Sequence, residues 1–127
     1  MAAPVVHWEF WSKDPTKVAD FYERAFGTKQ YFRNETSAQV LGPGPTDVIA
    51  FELMPQEAGQ AGGVIHFGLR LTAPERLEGI IDRVVAAGGK VLQRGDFGGN
   101  QPFAFVSDPD GYEIEVWYES TPHHVPE

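Results

Sequence analysis

The chain carries one pattern twice. His66 lies 59 residues after His7 and Pro74 lies 59 after Pro15, while the apolar positions Val18, Phe21, Tyr22, Ala25 and Phe26 recur at the same offset as Leu77, Ile80, Ile81, Val84 and Val85. Strand and helix periods are common to all proteins, so matched stripes alone carry little weight. They do not account for a histidine and a proline that match as well. A duplicated βα unit followed by further strands is the expected plan, with two copies rather than the three or more of a solenoid.

Each copy opens on alternation and then changes period. Val5 to Trp11 alternate, as in a strand with one buried face. Asp14-Pro15 then supplies a cap and a first-turn proline, and the stripe from Val18 to Phe26 runs as a helix to Gly27. In the second copy Val64 to Leu71 alternate, Pro74 opens a helix, and Gly88-Gly89 ends it. Further strands are expected over 29–32, 38–41 and 48–54, and over 90–93, 103–106 and 112–118, with a glycine-rich loop over 95–102 and a turn at Asp108-Pro109-Asp110-Gly111. The chain therefore reads as an α+β fold in one domain, 1–127. The first module spans about 5–54, a linker 55–63, the second module about 64–119, and a mobile tail 120–127 whose His123 and His124 are bystanders.

Charge and composition narrow the partners. The net charge is -8, and no basic run is available to meet a phosphate backbone or anionic lipid, so neither nucleic acid nor membrane is an expected partner. Met1 to Val6 lack the features of a signal peptide, and no apolar run has spanning length; a cytoplasmic protein is expected. There is no cysteine, so any metal must be held by nitrogen and oxygen.

Strand alternation sorts the side chains by face. His7, Glu9 and Trp11 share one, as do Val48, Ala50, Glu52 and Met54, then His66, Gly68 and Arg70, and Glu113, Glu115 and Trp117. The opposite faces are apolar and are expected to lie under the helices: Val6, Trp8 and Phe10; Ile49, Phe51 and Leu53; Ile65, Phe67, Leu69 and Leu71; Ile114, Val116 and Tyr118. Each copy thus offers one histidine and one glutamate on its polar face, His7 with Glu52 and His66 with Glu115. Taken singly, each is equally a solvated residue of a wet sheet face. Together, two imidazoles and two carboxylates suit a divalent first-row ion with coordination positions left open.

The chain resembles the vicinal oxygen chelate group, and within it the bacterial glyoxalase I (lactoylglutathione lyase) proteins, over about residues 5–119. The carriers are Val5-Val6-His7, Asp20 to Gly27, Phe51-Glu52-Leu53, Ile65-His66-Phe67, Ala86 to Val91, and above all Asp108 to Val116. The resemblance implies two βαβββ modules forming a curved eight-stranded mixed sheet, a cup with helices outside, and a homodimer. It implies one divalent ion, Ni, Zn, Co, Mn or Fe, on His7, Glu52, His66 and Glu115, with Glu115 moving the substrate proton. The segment from Gly27 to Glu52 is shorter than in glyoxalase I, and basic groups for glutathione carboxylates are not evident beyond Arg33, Arg70 and Arg94.

The leading expectation is an isomerase or lyase that converts a small 2-oxoaldehyde–thiol adduct, or a similar vicinal-oxygen substrate, through a metal-bound enediolate. Trp11, Met54, Arg70, Phe103 and Trp117 would line the substrate site. One alternative is an extradiol-type dioxygenase with Fe(II) on His7, His66 and Glu115. The other is a metal-free protein of the bleomycin-resistance kind, which sequesters an aromatic antibiotic between aromatic walls.

Overall fold

The computed structural model describes residues 7–42, 47–60, 64 and 66–118. The expectations for Val5, Val6 and Ile65, for the end of the linker at 61–63 and for the tail from Ser120 lie outside the described residues. The first module runs β1 (His7–Ser12), α1 (Pro15–Phe26), β2 (Lys29–Arg33), β3 (Ser37–Leu41) and β4 (Val48–Leu53). The second repeats the order as β5 (Phe67–Arg70), a 3-10 turn (Pro74–Arg76), α2 (Leu77–Ala86), β6 (Lys90–Asp96), β7 (Pro102–Ser107) and β8 (Glu113–Trp117).

Among the described residues eight strands form two four-stranded mixed sheets, ordered β1-β4-β3-β2 and β5-β8-β7-β6, which do not close into a barrel. In each sheet the opening strand pairs parallel with the closing one, β1 with β4 and β5 with β8, and the remaining pairs are antiparallel. The duplication read from the 59-residue offset is thus a duplication of topology.

The local chemistry follows the sequence at α1. The Asp14 carboxylate accepts from the Lys17 N–H at 3.2 Å, Pro15 begins the helix, and Gly27 ends it at φ 75, a left-handed conformation that a residue without Cβ adopts at little cost. Val18, Phe21, Tyr22 and Ala25 of α1, with Leu77, Ile81 and Val84 of α2, join Val40, Ile49, Phe51, Phe67, Val106, Ile114 and Val116 in one apolar core. The helices also meet each other, and the Arg24 guanidinium donates to the Ala86 carbonyl at 3.2 Å.

Three expectations need correcting. Val85 is exposed rather than buried, because eight residues carry it roughly 80° round the helix from Leu77. Trp8 and Leu53 are also exposed, since they sit near the ends of β1 and β4, although Trp8 still stacks on Phe67 with ring centroids 6.2 Å apart. β6 continues to Asp96, through the stretch expected to be loop, because Gly95 pairs with Phe103 and Asp96 with Pro102.

The turn between β7 and β8 ties the modules together. Asp108 is buried: its Oδ2 accepts from the Tyr22 hydroxyl at 2.9 Å, and its Oδ1 from the backbone N–H groups of Asp110 at 2.9 Å and Tyr112 at 3.0 Å. Asp110 Oδ1 accepts from the Lys13 N–H at 2.9 Å, and the Tyr112 hydroxyl donates to the Trp11 carbonyl at 2.8 Å. The Asp108-Pro109-Asp110-Gly111-Tyr112 stretch therefore clamps the second module to the β1–α1 corner of the first. Burial pushes the Asp108 carboxyl up to about 6, against the hydrogen bonds that favour its ionised form.

Gly89 is closely packed between β7 and the two helices. A Cβ there would come within 2.6 Å of the Ser107 carbonyl oxygen, 2.7 Å of Val84 and 2.8 Å of Phe21. Gly89→Ala is therefore expected to destabilise the chain by about 1–3 kcal/mol, read as a lower urea midpoint.

Candidate functional site

Alternation along the second sheet builds its polar centre. β7 and β8 pair Phe103 with Trp117, Phe105 with Glu115 and Ser107 with Glu113; β5 and β8 pair Gly68 with Glu115 and Arg70 with Trp117. Paired residues share a face, so these side chains stand together on the side away from the helices. His66 immediately precedes β5, and its neighbour Phe67 pairs with Ile114. This register sets His66 beside Glu113 and two residues short of Glu115.

The imidazole lies between two carboxylates. Glu113 Oε2 is 3.5 Å from His66 Nδ1, and Glu115 Oε1 is 3.7 Å from Nε2. Nδ1 is out of reach of solvent and has no hydrogen-bond partner. The imidazole is about a third exposed and Glu115 less so, and Phe105 meets the ring edge-on at 5.1 Å. A ring meeting Phe105 edge-on, with a carboxylate within 4 Å of each nitrogen, sets three proton-exchanging groups side by side.

Two glycines make room for the aromatic walls. A Cβ on Gly68 would come within 2.3 Å of the Trp117 ring, and one on Gly95 within 2.6 Å of the Phe103 ring. Trp117 therefore lies across β5 and Phe103 across β6. Gly68→Ala is expected to lift the Trp117 ring off the sheet and alter the near-ultraviolet circular dichroism, while the far-ultraviolet spectrum is retained.

The first sheet places its donors differently. His7 opens β1, half exposed, with Glu9 at 3.5 Å. β1 pairs His7 with Val48 and Trp11 with Glu52, so Glu52 stands four residues further along, roughly 13 Å from His7 in strand rise. Glu52 Oε1 instead accepts from the Ser37 hydroxyl at 2.7 Å. Trp11 is exposed beside Glu52, and Met54 follows β4 with its backbone N–H donated to the Ser12 carbonyl at 2.9 Å.

The donor set of a divalent ion can be tested against this register. Ligand atoms must all come within about 2 Å of one ion. Four residues of strand keep His7 and Glu52 apart whether the second pair comes from the same chain or from another copy. In the second module the carboxylates face opposite nitrogens of His66, so together they bracket the ring. Among the described residues no three His, Asp or Glu side chains gather around one point where an ion could sit. As placed here, His7, Glu52, His66 and Glu115 do not fit a single ion.

The structure therefore brings together His66, Glu115, Arg70, Phe103 and Trp117, and sets His7, Glu52, Trp11 and Met54 on the other sheet. Glu113, Phe105 and Phe97 were not singled out from the sequence. Alternation already put Glu113 beside Glu115, and the same rule applied to β7 puts Phe105 with Phe103.

These features define a duplicated βαβββ protein whose polar centre lies on the open face of its second sheet. The chain belongs to the Glyoxalase/Bleomycin resistance protein/Dioxygenase superfamily, whose family model matches residues 5–116. Its fold is similar to that of a glyoxalase-related enzyme from Fulvimarina pelagi, with 24% identity over 93% of this chain and 89% of that one and a TM-score of 0.76. It is also similar to a genomically encoded fosfomycin resistance protein from Listeria monocytogenes (16% identity, 94% and 96% covered, TM-score 0.77). A third similar structure is a lactoylglutathione lyase from Agrobacterium tumefaciens (16% identity, 92% and 94% covered, TM-score 0.70). At these identities the likeness shows the fold. No curated protein matches the chain, and among the described residues no helix is long and apolar enough to cross a membrane.

Proposed function

We propose that the chain is an isomerase for a small substrate bearing oxygens on neighbouring carbons, such as a 2-oxoaldehyde–thiol adduct, and that it works through Glu115 and His66. The observation that carries this reading is the imidazole held between Glu113 and Glu115 on an aromatic-walled face. Glu115 takes the proton from the carbon next to the carbonyl as the electron pair moves to the carbonyl oxygen, which receives the Nε2 hydrogen of His66. Glu115 then delivers its proton to the former carbonyl carbon while the hydroxyl on the other carbon gives its proton to His66 Nε2 and becomes the new carbonyl, so the product is an isomer of the substrate and both residues end as they began. Stabilising the developing oxyanion and placing the base each lower the barrier by a few kcal/mol. Glu113 stands behind the imidazole, 3.5 Å from Nδ1.

Initial rates on a panel of 2-oxoaldehyde–thiol adducts test this, with wild type set beside His66→Ala and Glu115→Gln. Turnover that disappears in both supports the reading, and full activity in Glu115→Gln overturns it. A second reading, sequestration of a planar molecule without turnover, is favoured by the exposed rings of Trp11 and Phe97; it predicts binding in Glu115→Gln at wild-type strength. A homodimer, implied by the resemblance, is tested by sedimentation velocity.

A further inference from the structure

One aromatic run on the second sheet extends from His66 out to the β6–β7 hairpin. From the tip of the β6–β7 hairpin, Phe97 stacks on Phe103 with centroids 4.3 Å apart and planes 20° apart. Phe103 meets Phe105 edge-on at 5.7 Å, and Phe105 meets His66 edge-on at 5.1 Å. Rings thus lead without interruption from the hairpin tip to the imidazole and its carboxylates. Phe97 is 60% exposed, so much of its apolar surface is left for something else to cover.

The hairpin holds that ring in place. Asp96 Oδ1 accepts from the N–H groups of Gly98 at 2.6 Å and Gln101 at 3.2 Å, the Gln101 amide donates to the Gly98 carbonyl at 2.9 Å, and the Phe97 N–H donates to the Gln101 carbonyl at 3.0 Å. Gly98, Gly99 and Asn100 take the left-handed conformations, φ 102, 66 and 59, that this tight tip requires. At its base Gly95 leaves the space that the Phe103 ring fills. An exposed ring on an ordered tip needs little further ordering to receive a ligand.

We propose that this face selects substrates whose oxygen-bearing end carries a planar apolar group, and that Phe97 is the residue that recognises it. The proposal rests on the proton-transfer reading of His66 and Glu115, since that end fixes where the oxygens lie. With the oxygens at His66, an aryl group continues along Phe105 and Phe103 to Phe97. A methyl group in its place leaves the outer rings uncovered.

The test uses two probes, 2-hydroxyacetophenone and its methyl counterpart hydroxyacetone, titrated into isotope-labelled wild type and Phe97→Ala. Amide shifts are followed at His66, Gly95 and Gly98. In wild type the aryl probe is expected to shift both ends of the run and to bind about tenfold more tightly than the methyl probe, from ring stacking and apolar burial. In Phe97→Ala that ratio should fall to about threefold or less. Phe97 is largely exposed, so this variant should keep its fold. Equal affinities in wild type, or a ratio unchanged in Phe97→Ala while His66 still responds, would overturn the inference and leave the proton-transfer reading standing. No response at His66 to either probe would overturn both.

Discussion

Glu115→Gln is expected to lower turnover by roughly 10²–10⁴-fold, the usual contribution of a positioned general base, and His66→Ala by a comparable factor. The amide cannot accept the carbon proton, although it keeps the shape of the carboxylate. His7→Ala and Glu52→Gln should stay within about threefold of wild type. The register separates them from each other by four residues of strand, and Glu52 is bound to Ser37. Initial rates of the four variants on the same adduct, with far-ultraviolet circular dichroism to show retained folding, check this. A loss of rate shared equally by all four would contradict the assignment to the second sheet.

The second large effect is on stability and concerns Asp108. Its carboxyl titrates near 3.8 when unfolded and at about 6 in the fold. Between those values the folded chain holds the proton more tightly. The stabilisation is complete below about pH 4 and is lost as pH rises through about 6. The gap corresponds to roughly 3 kcal/mol. Asp108→Asn resembles the protonated acid and should remove this part of the pH dependence. Wild type is expected to lose stability relative to the variant between about pH 4 and about pH 7, read as urea midpoints. Tyr22→Phe removes a hydrogen bond that favours the ionised form, so it should cost about 1–3 kcal/mol and cost more at the higher pH. Parallel pH profiles for wild type and Asp108→Asn would contradict this account of the turn.

The sequence was most legible where local chemistry decides. Asp14-Pro15 and Gly27 bound α1 because a cap, a fixed proline φ and a left-handed glycine act within a few residues. The offset between His7 and His66 shows the duplication because both copies keep the same strand–helix order. Strand register was not legible. Alternation puts Glu52 on the face of His7, but a period of two does not distinguish pairing His7 with Val48, Ala50 or Glu52, and the pairing found is with Val48. Gly95 reads as a loop residue by itself, yet it lies in β6 because the Phe103 ring needs the space. Phe97 gave no signal of its own, since only the hairpin brings it onto Phe103. The Asp108 to Val116 stretch is the most specific mark of the family, and its first five residues join the two modules.

We place the polar centre on His66, Glu113 and Glu115 and propose that His7 and Glu52 share no ion with it. Metal content per chain tests this most directly. Wild type, His7→Ala, Glu52→Gln, His66→Ala and Glu115→Gln would be dialysed against a mixture of Ni, Zn, Co, Mn and Fe and then analysed by element. The His7 and Glu52 variants are expected to match wild type, whatever the level found there. About one ion per chain in wild type, lost alike from all four variants, would contradict it.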